Sequence, residues 1–153
     1  MKLAEALMIR GEMQTKLASL RQRIQANVLV DDGESPQEAP GELMREAAGL
    51  MQDRTSMLIR IHATNHTAAL PDGRSMTQAL AERDELSARH KLIHEAVEAT
   101  RIEGHRYSMR EIKSVPTVDV KALQKQADDL ARRLRELNAH IQQANWQIDL
   151  IGS

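Results

Sequence analysis

The sequence predicts an all-α protein: long antiparallel helices in a coiled-coil-like bundle with one short extended segment. Three observations predict it. Most of the seven glycines and four prolines fall within 33–41, 71–73 and 104–116, so the chain is punctuated into four long stretches. Tyr107 and Trp146 are the only aromatic residues, with no Phe, so the core must come from Leu, Ile, Met, Ala and Val, which suits narrow helix seams better than a β-sandwich. Within the stretches, apolar residues recur at spacings of three and four.

The first helix is read over about 2–30, with Leu3, Leu7, Met13, Leu17, Leu20 and Ile24 on its seam. An acidic link follows, where Ser35-Pro36 and Glu38 suggest a short irregular helical turn that Pro40 would stop. The second helix, about 42–68, places Leu43, Ala47, Leu50, Met57 and Ile61 on one face. The link 69–74 is short enough to join helices two and three as an antiparallel hairpin. The third helix, about 75–104, opens with a capping box of Ser75 and Gln78 and carries Met76, Ala79, Leu86, Ile93 and Val97.

The stretch 105–118 breaks the helical period. Its β-branched residues Ile112, Val115, Thr117 and Val118 surround Pro116, which reads as the extended segment. A lone strand leaves backbone groups unpaired, so Tyr107, Ile112 and Val115, together with Trp146, are candidates for assembly contacts. The fourth helix, about 119–150, is capped by Asp119 or Thr117. Its seam is the most regular, running Val120, Leu123, Ala127, Leu130, Leu134, Leu137, Ile141, Ala144, Ile148 and Ile151. A mean step near 3.5 residues implies left-handed supercoiling. One helical domain is expected over 1–153.

Composition excludes much. With 41% apolar and 28% charged residues the chain reads as globular, and no run of about 18 apolar residues is present to span a bilayer. Early charges at Glu5, Arg10 and Glu12 do not suit a signal peptide, so a cytoplasmic protein is expected. Absence of cysteine removes disulfides, thiolate metal sites and cysteine nucleophiles. No phosphate-binding glycine loop, dinucleotide fingerprint or nucleophile elbow occurs. The net charge of −1 and the lack of aromatic stacking platforms argue against a nucleic-acid partner. The first helix is basic (Lys2, Arg10, Lys16, Arg21 and Arg23 against Glu5 and Glu12), and the link is acidic (Asp31, Asp32, Glu34, Glu38 and Glu42). That contrast could steer self-association, or be a solvated loop.

Two sets of residues could carry chemistry. Arg10, Arg54 and Arg83 fall at seam positions, where a guanidinium is costly without a partner. They would either pair with carboxylates such as Glu5, Asp53 or Asp84, or form an anion pocket. His62 with His66, and His90 with His94, have the i, i+4 spacing that can chelate a divalent transition metal, with Glu95, Glu98 or His105 to complete the set. Neither pair has the H-E-x-x-H glutamate, and no Glu stands three residues before a His, which removes the di-metal carboxylate bundle pattern. No cofactor is expected beyond that metal.

Four stretches carry a family resemblance: Lys2-Leu3-Ala4-Glu5-Ala6-Leu7; Ala79-Leu80-Ala81-Glu82-Arg83-Asp84; Arg106-Tyr107-Ser108 through Glu111-Ile112-Lys113 to Thr117-Val118-Asp119-Val120; and Gln143-Ala144-Asn145-Trp146. Together they resemble a small prokaryotic family of helical proteins sometimes labelled septicolysin-like. The resemblance implies an all-helical, oligomeric protein with no established reaction. It does not bring toxin activity, because the sequence offers no apolar hairpin for insertion and no cysteine. The family pattern does not feature the histidine pairs, and Asn is more usual at His62.

Two function classes remain. One is a cytoplasmic homo-oligomeric structural or interaction protein. The other is a small-anion- or metal-binding protein, with or without catalysis, that uses the arginines and histidines.

Overall fold

The computed structural model describes residues 1–102 and 114–152. Among them are four helices, α1 (Leu3–Asn27), α2 (Pro40–Thr67), α3 (Met76–Ile102) and α4 (Val120–Gln147), and no strand. The protein is an all-α helical bundle. The described residues form two compact units: Met1–Ala68 with the chain from Ala144 onward, and Ala69–Gln143.

In the first unit α1 and α2 run antiparallel. Leu20, Leu43 and Ala47 form a buried cluster, flanked by the partly buried Leu17, Ile24 and Leu50. Ion pairs join Lys16 to Glu46 (2.9 Å) and Arg23 to Glu38 across the same pair of helices and their link. Glu5 accepts the backbone N–H of Lys2 (2.6 Å), satisfying a donor at the start of α1. The helix ends at Asn27, three residues earlier than the apolar run Val28-Leu29-Val30 suggests. Asn27 explains the stop: its amide donates to the Arg23 carbonyl (2.9 Å) and its Oδ1 accepts the Glu38 N–H (3.0 Å), which turns the chain. Gly33, at φ 87°, takes a left-handed conformation that suits glycine.

The helical turn expected around Ser35 does not form. The link 31–39 has only a turn and bends, and α2 begins at Pro40, where a missing N–H costs nothing in the first helical turn.

The last residues close this unit. The heptad pattern extrapolates to Ile151, but the helix ends at Gln147 and Leu150 is the buried residue, at 2% exposure, while Ile151 is exposed. Backbone bonding overrides the pattern. The N–H of Leu3 donates to the Ile148 carbonyl and that of Leu150 to the Met1 carbonyl, both at 2.9 Å, in an antiparallel bridge of Lys2 with Asp149. The side chains of Lys2 and Asp149 pair at 2.8 Å. From α2, the buried Thr64 hydroxyl accepts the Ile151 N–H (3.0 Å), and Arg60 Nε donates to the Ile151 carbonyl (3.0 Å).

The second unit opens with a tight turn. Leu70 N–H donates to the Arg74 carbonyl (2.7 Å) and Gly73, at φ 90°, donates to the Leu70 carbonyl (2.9 Å). Ser75 and Gln78 form the reciprocal capping box read from the sequence, with Gln78 N–H to Ser75 Oγ at 3.1 Å and Ser75 N–H to Gln78 Oε1 at 2.9 Å. Asp119 caps α4 by accepting the Ala122 N–H (3.0 Å). Met76, Ala79, Leu86 and Val97 of α3 are buried, as are Ala127, Leu130, Leu137 and Ile141 of α4. Of the extended segment read over 105–118, residues 105–113 lie outside the described residues. Residues 114–118 are exposed and not helical.

Leu20→Ala should lower the free energy of unfolding by about 2–5 kcal/mol, because Leu20 has no solvent exposure and the cavity adds to the lost transfer energy. Leu134→Ala, at a half-buried seam position, should cost less. Equilibrium denaturation of both variants checks the order.

Candidate functional site

The three seam arginines have different environments. Arg83 lies along the side chain of its neighbour Asp84, donating from Nε (3.0 Å) and Nη2 (2.8 Å) to one carboxylate oxygen. Among the described residues, Arg10 on α1 and Arg54 on α2 have no such carboxylate. Both residues are half-buried, and the Nε of each is shielded from solvent with no hydrogen-bond partner. Glu5, one expected partner, is engaged at the start of α1 instead.

The histidines separate in the same way. His62 and His66 are exposed along α2. His90 and His94 stack with ring centroids 6.0 Å apart and line a groove of ≈ 310 Å³ in the second unit, with Val97, Glu98, Arg101, Gln124, Ala127 and Asp128. Glu98 pairs with Arg101 at 2.8 Å, and Glu95 with Lys91 at 3.7 Å. His105 lies outside the described residues. Among the described residues no three His, Asp or Glu side chains come together as a metal-binding group. Two parallel, stacked imidazoles present faces to each other, whereas chelation needs ring nitrogens converging on one point.

Of the assembly candidates, Val115 (68%) and Trp146 (56%) are exposed, and Tyr107 and Ile112 lie outside the described residues. Sequence reading missed a charged cluster at the start of the second unit. Arg74 pairs with Asp72 (2.5 Å) and with Glu82, beside a groove that His140, Arg133 and Glu136 also line. The signal was available in the Asp-Gly-Arg turn, whose aspartate also accepts the Arg74 N–H (3.0 Å).

Four carboxyls are held below their ordinary values, each chiefly by a hydrogen bond from a cation: Glu38 by Arg23, Glu46 by Lys16, Asp72 by Arg74 and Asp149 by Lys2. These groups are at the surface, where solvent and salt screen them, so they order links, ends and the α1–α2 pair more than they add stability.

Residues 10–150 match the model of a family of unknown function, DUF6847. The chain belongs to that family. It is also similar to a solved structure described as a functionally unknown conserved protein from Corynebacterium diphtheriae. The two share 34% identity and a TM-score of 0.93, over 98% of each chain. No curated protein matches the chain. The family assignment agrees with the helical architecture and adds no reaction.

A carboxyl whose folded value is lowered stabilises the fold above its unfolded value, near 4, and that contribution is lost as pH falls through the lowered one. Arg23→Met should therefore return the Glu38 titration to the ordinary glutamate range. Carboxyl NMR titration checks this, and an unchanged midpoint would show that the pair does not form in solution.

Proposed function

We propose that this protein is a cytoplasmic homo-oligomeric structural or interaction protein whose principal partner is a second copy of itself. The observation that carries this reading is the open side of the α1–α2 hairpin. Two helices bury only the line between them, so Leu17, Ile24 and Leu50 remain half-exposed. A groove of ≈ 760 Å³ runs beside them, lined mainly by Leu17, Ala18, Ile24, Ala47 and Met51. A second hairpin laid on this face would complete a four-helix layer and remove the apolar strip from water.

Charge supports the same occupant. The groove's rim carries Arg21 on the basic first helix, and the acidic link of another copy supplies the opposite sign. Val28, Leu29 and Val30, exposed at the end of the hairpin (Leu29 at 85%), offer further apolar area beside that acidic link. Met44 and Met51 do the same along α2, with the flexible side chains common at adaptable surfaces. No described helix is long and apolar enough to cross a membrane. The septicolysin-like resemblance contributes the expectation of oligomers and no activity.

Native mass spectrometry and light scattering at micromolar concentration should give a particle larger than 17.2 kDa. Met51 is 55% exposed, so Met51→Asp should leave the helical content intact while raising the dissociation constant at least tenfold, because a carboxylate would be desolvated in the contact. A monomeric wild type, or a Met51→Asp variant that assembles like wild type, overturns the reading.

A further inference from the structure

The unpaired arginines of the first unit face a common level of the hairpin. Leu20 packs against Leu43 and Ala47, which sets the register of the antiparallel pair. Ten residues back along α1 from Leu20 is Arg10, a displacement of about 15 Å; the same displacement along α2 from between Leu43 and Ala47 ends at residues 53–57. Arg54 is on that level, and it is also on the seam. On α1, Leu20, Leu17, Met13, Arg10, Ala6 and Leu3 step by three or four; on α2, Leu43, Ala47, Leu50, Arg54, Met57 and Ile61 do the same, and each of these residues is buried or half-buried. Among the described residues, the middle of an otherwise aliphatic seam therefore holds two guanidinium groups and no carboxylate.

Such an arrangement is unfavourable as it stands. Like charges share one level, and each Nε has left water without gaining an acceptor. The acids nearest in sequence do not relieve it. Glu5 is bonded to the Lys2 N–H, and the Nε of neither arginine has an acceptor among the described residues. A guanidinium is a planar fork of donors suited to two oxygens of one group, and two forks at one level of facing helices are the donor set that a single oxyanion requires.

We propose that Arg10 and Arg54 form a binding site for a small free oxyanion, a phosphate or a carboxylate, held within the α1–α2 seam. Both guanidinium groups donate to it, and its charge offsets their repulsion. Apolar neighbours Met13, Leu50 and Met57 limit hydration of the bound group and strengthen its electrostatic contacts. The site is separate from the self-association face, because it rests on donors inside the seam and not on the exposed strip.

The test uses the full chain and inorganic phosphate. Against sodium chloride at equal ionic strength, phosphate should raise the wild-type melting temperature by several degrees, and calorimetry should give one phosphate per chain. Arg10→Met and Arg54→Met should each abolish both signals, while melting without phosphate at or above the wild-type temperature, since each removes an unpaired cation from the seam. Arg54→Lys keeps the charge and loses the fork, so it should bind several-fold more weakly. Absence of a phosphate-specific shift in wild type overturns the proposal, as does an equal shift in both methionine variants. A drop in subunit number in Arg10→Met, with no phosphate effect in wild type, would assign the arginines to a carboxylate of a second copy and also overturn it. Subunit number and phosphate binding are read separately, so loss of one leaves the other standing.

Discussion

Narrow helix seams are the constraint on which the rest of the structure depends. Without Phe, and with Trp146 exposed, the interior is built from Leu, Ile, Met, Ala and Val, whose side chains span little distance between backbones. Helices must then approach closely, in pairs, and each pair buries a line of residues instead of a broad layer. Leu20, Leu43 and Ala47 are such a line, and Leu17, Ile24 and Leu50 at its margins are only partly covered. Stability that a thicker core would supply must come from elsewhere, which is why links and ends are held by specific polar bonds: Asn27 to the Arg23 carbonyl and the Glu38 amide, Arg74 to Asp72 and Glu82, and Thr64 to the Ile151 amide.

That economy makes any charged residue on a seam conspicuous. A broad core can absorb one polar group by surrounding it with partners, whereas a two-helix line has few positions from which a partner could reach. Arg83 escapes by lying along Asp84. Among the described residues Arg10 and Arg54 have no such neighbour, and they occupy steps that Leu or Met would fill at lower cost. Retaining two cations there makes physical sense if they bind something. The open hairpin face is a separate matter of apolar area, and the two features need not serve one role.

Much of the fold was legible because long helices with few breakers announce themselves. Seam residues, the Ser75–Gln78 capping box and the Asp119 cap were readable, since each depends on residues close in sequence. What periodicity could not show was where tertiary bonds interrupt it. Asn27 ends α1 before an apolar tripeptide, and Leu150 replaces Ile151 inside, because backbone pairing with Met1 and Leu3 turns the chain out of the helix. The candidate site was legible as a list of seam arginines and no further. Their spacing was readable, but which ones lacked carboxylates depended on where Glu5 and Asp84 were committed. The histidine pairs show the opposite case: spacing placed His90 and His94 side by side, and the rings met face to face.

The bonds between residues 1–3 and 148–151, both in the first unit, make residues 1–151 a nearly closed ring of chain. Leu3 and Ile148 lie a hydrogen bond apart, although almost the whole sequence separates them. A short peptide could therefore join the two ends with little entropic cost, and the exposed link 31–39, free of regular structure, offers a place to reopen the ring. Circularly permuted forms would then begin and end at the tip of the α1–α2 hairpin. Chain extending outward from residues 1–3 and from residues 148–151, by contrast, would leave from neighbouring points.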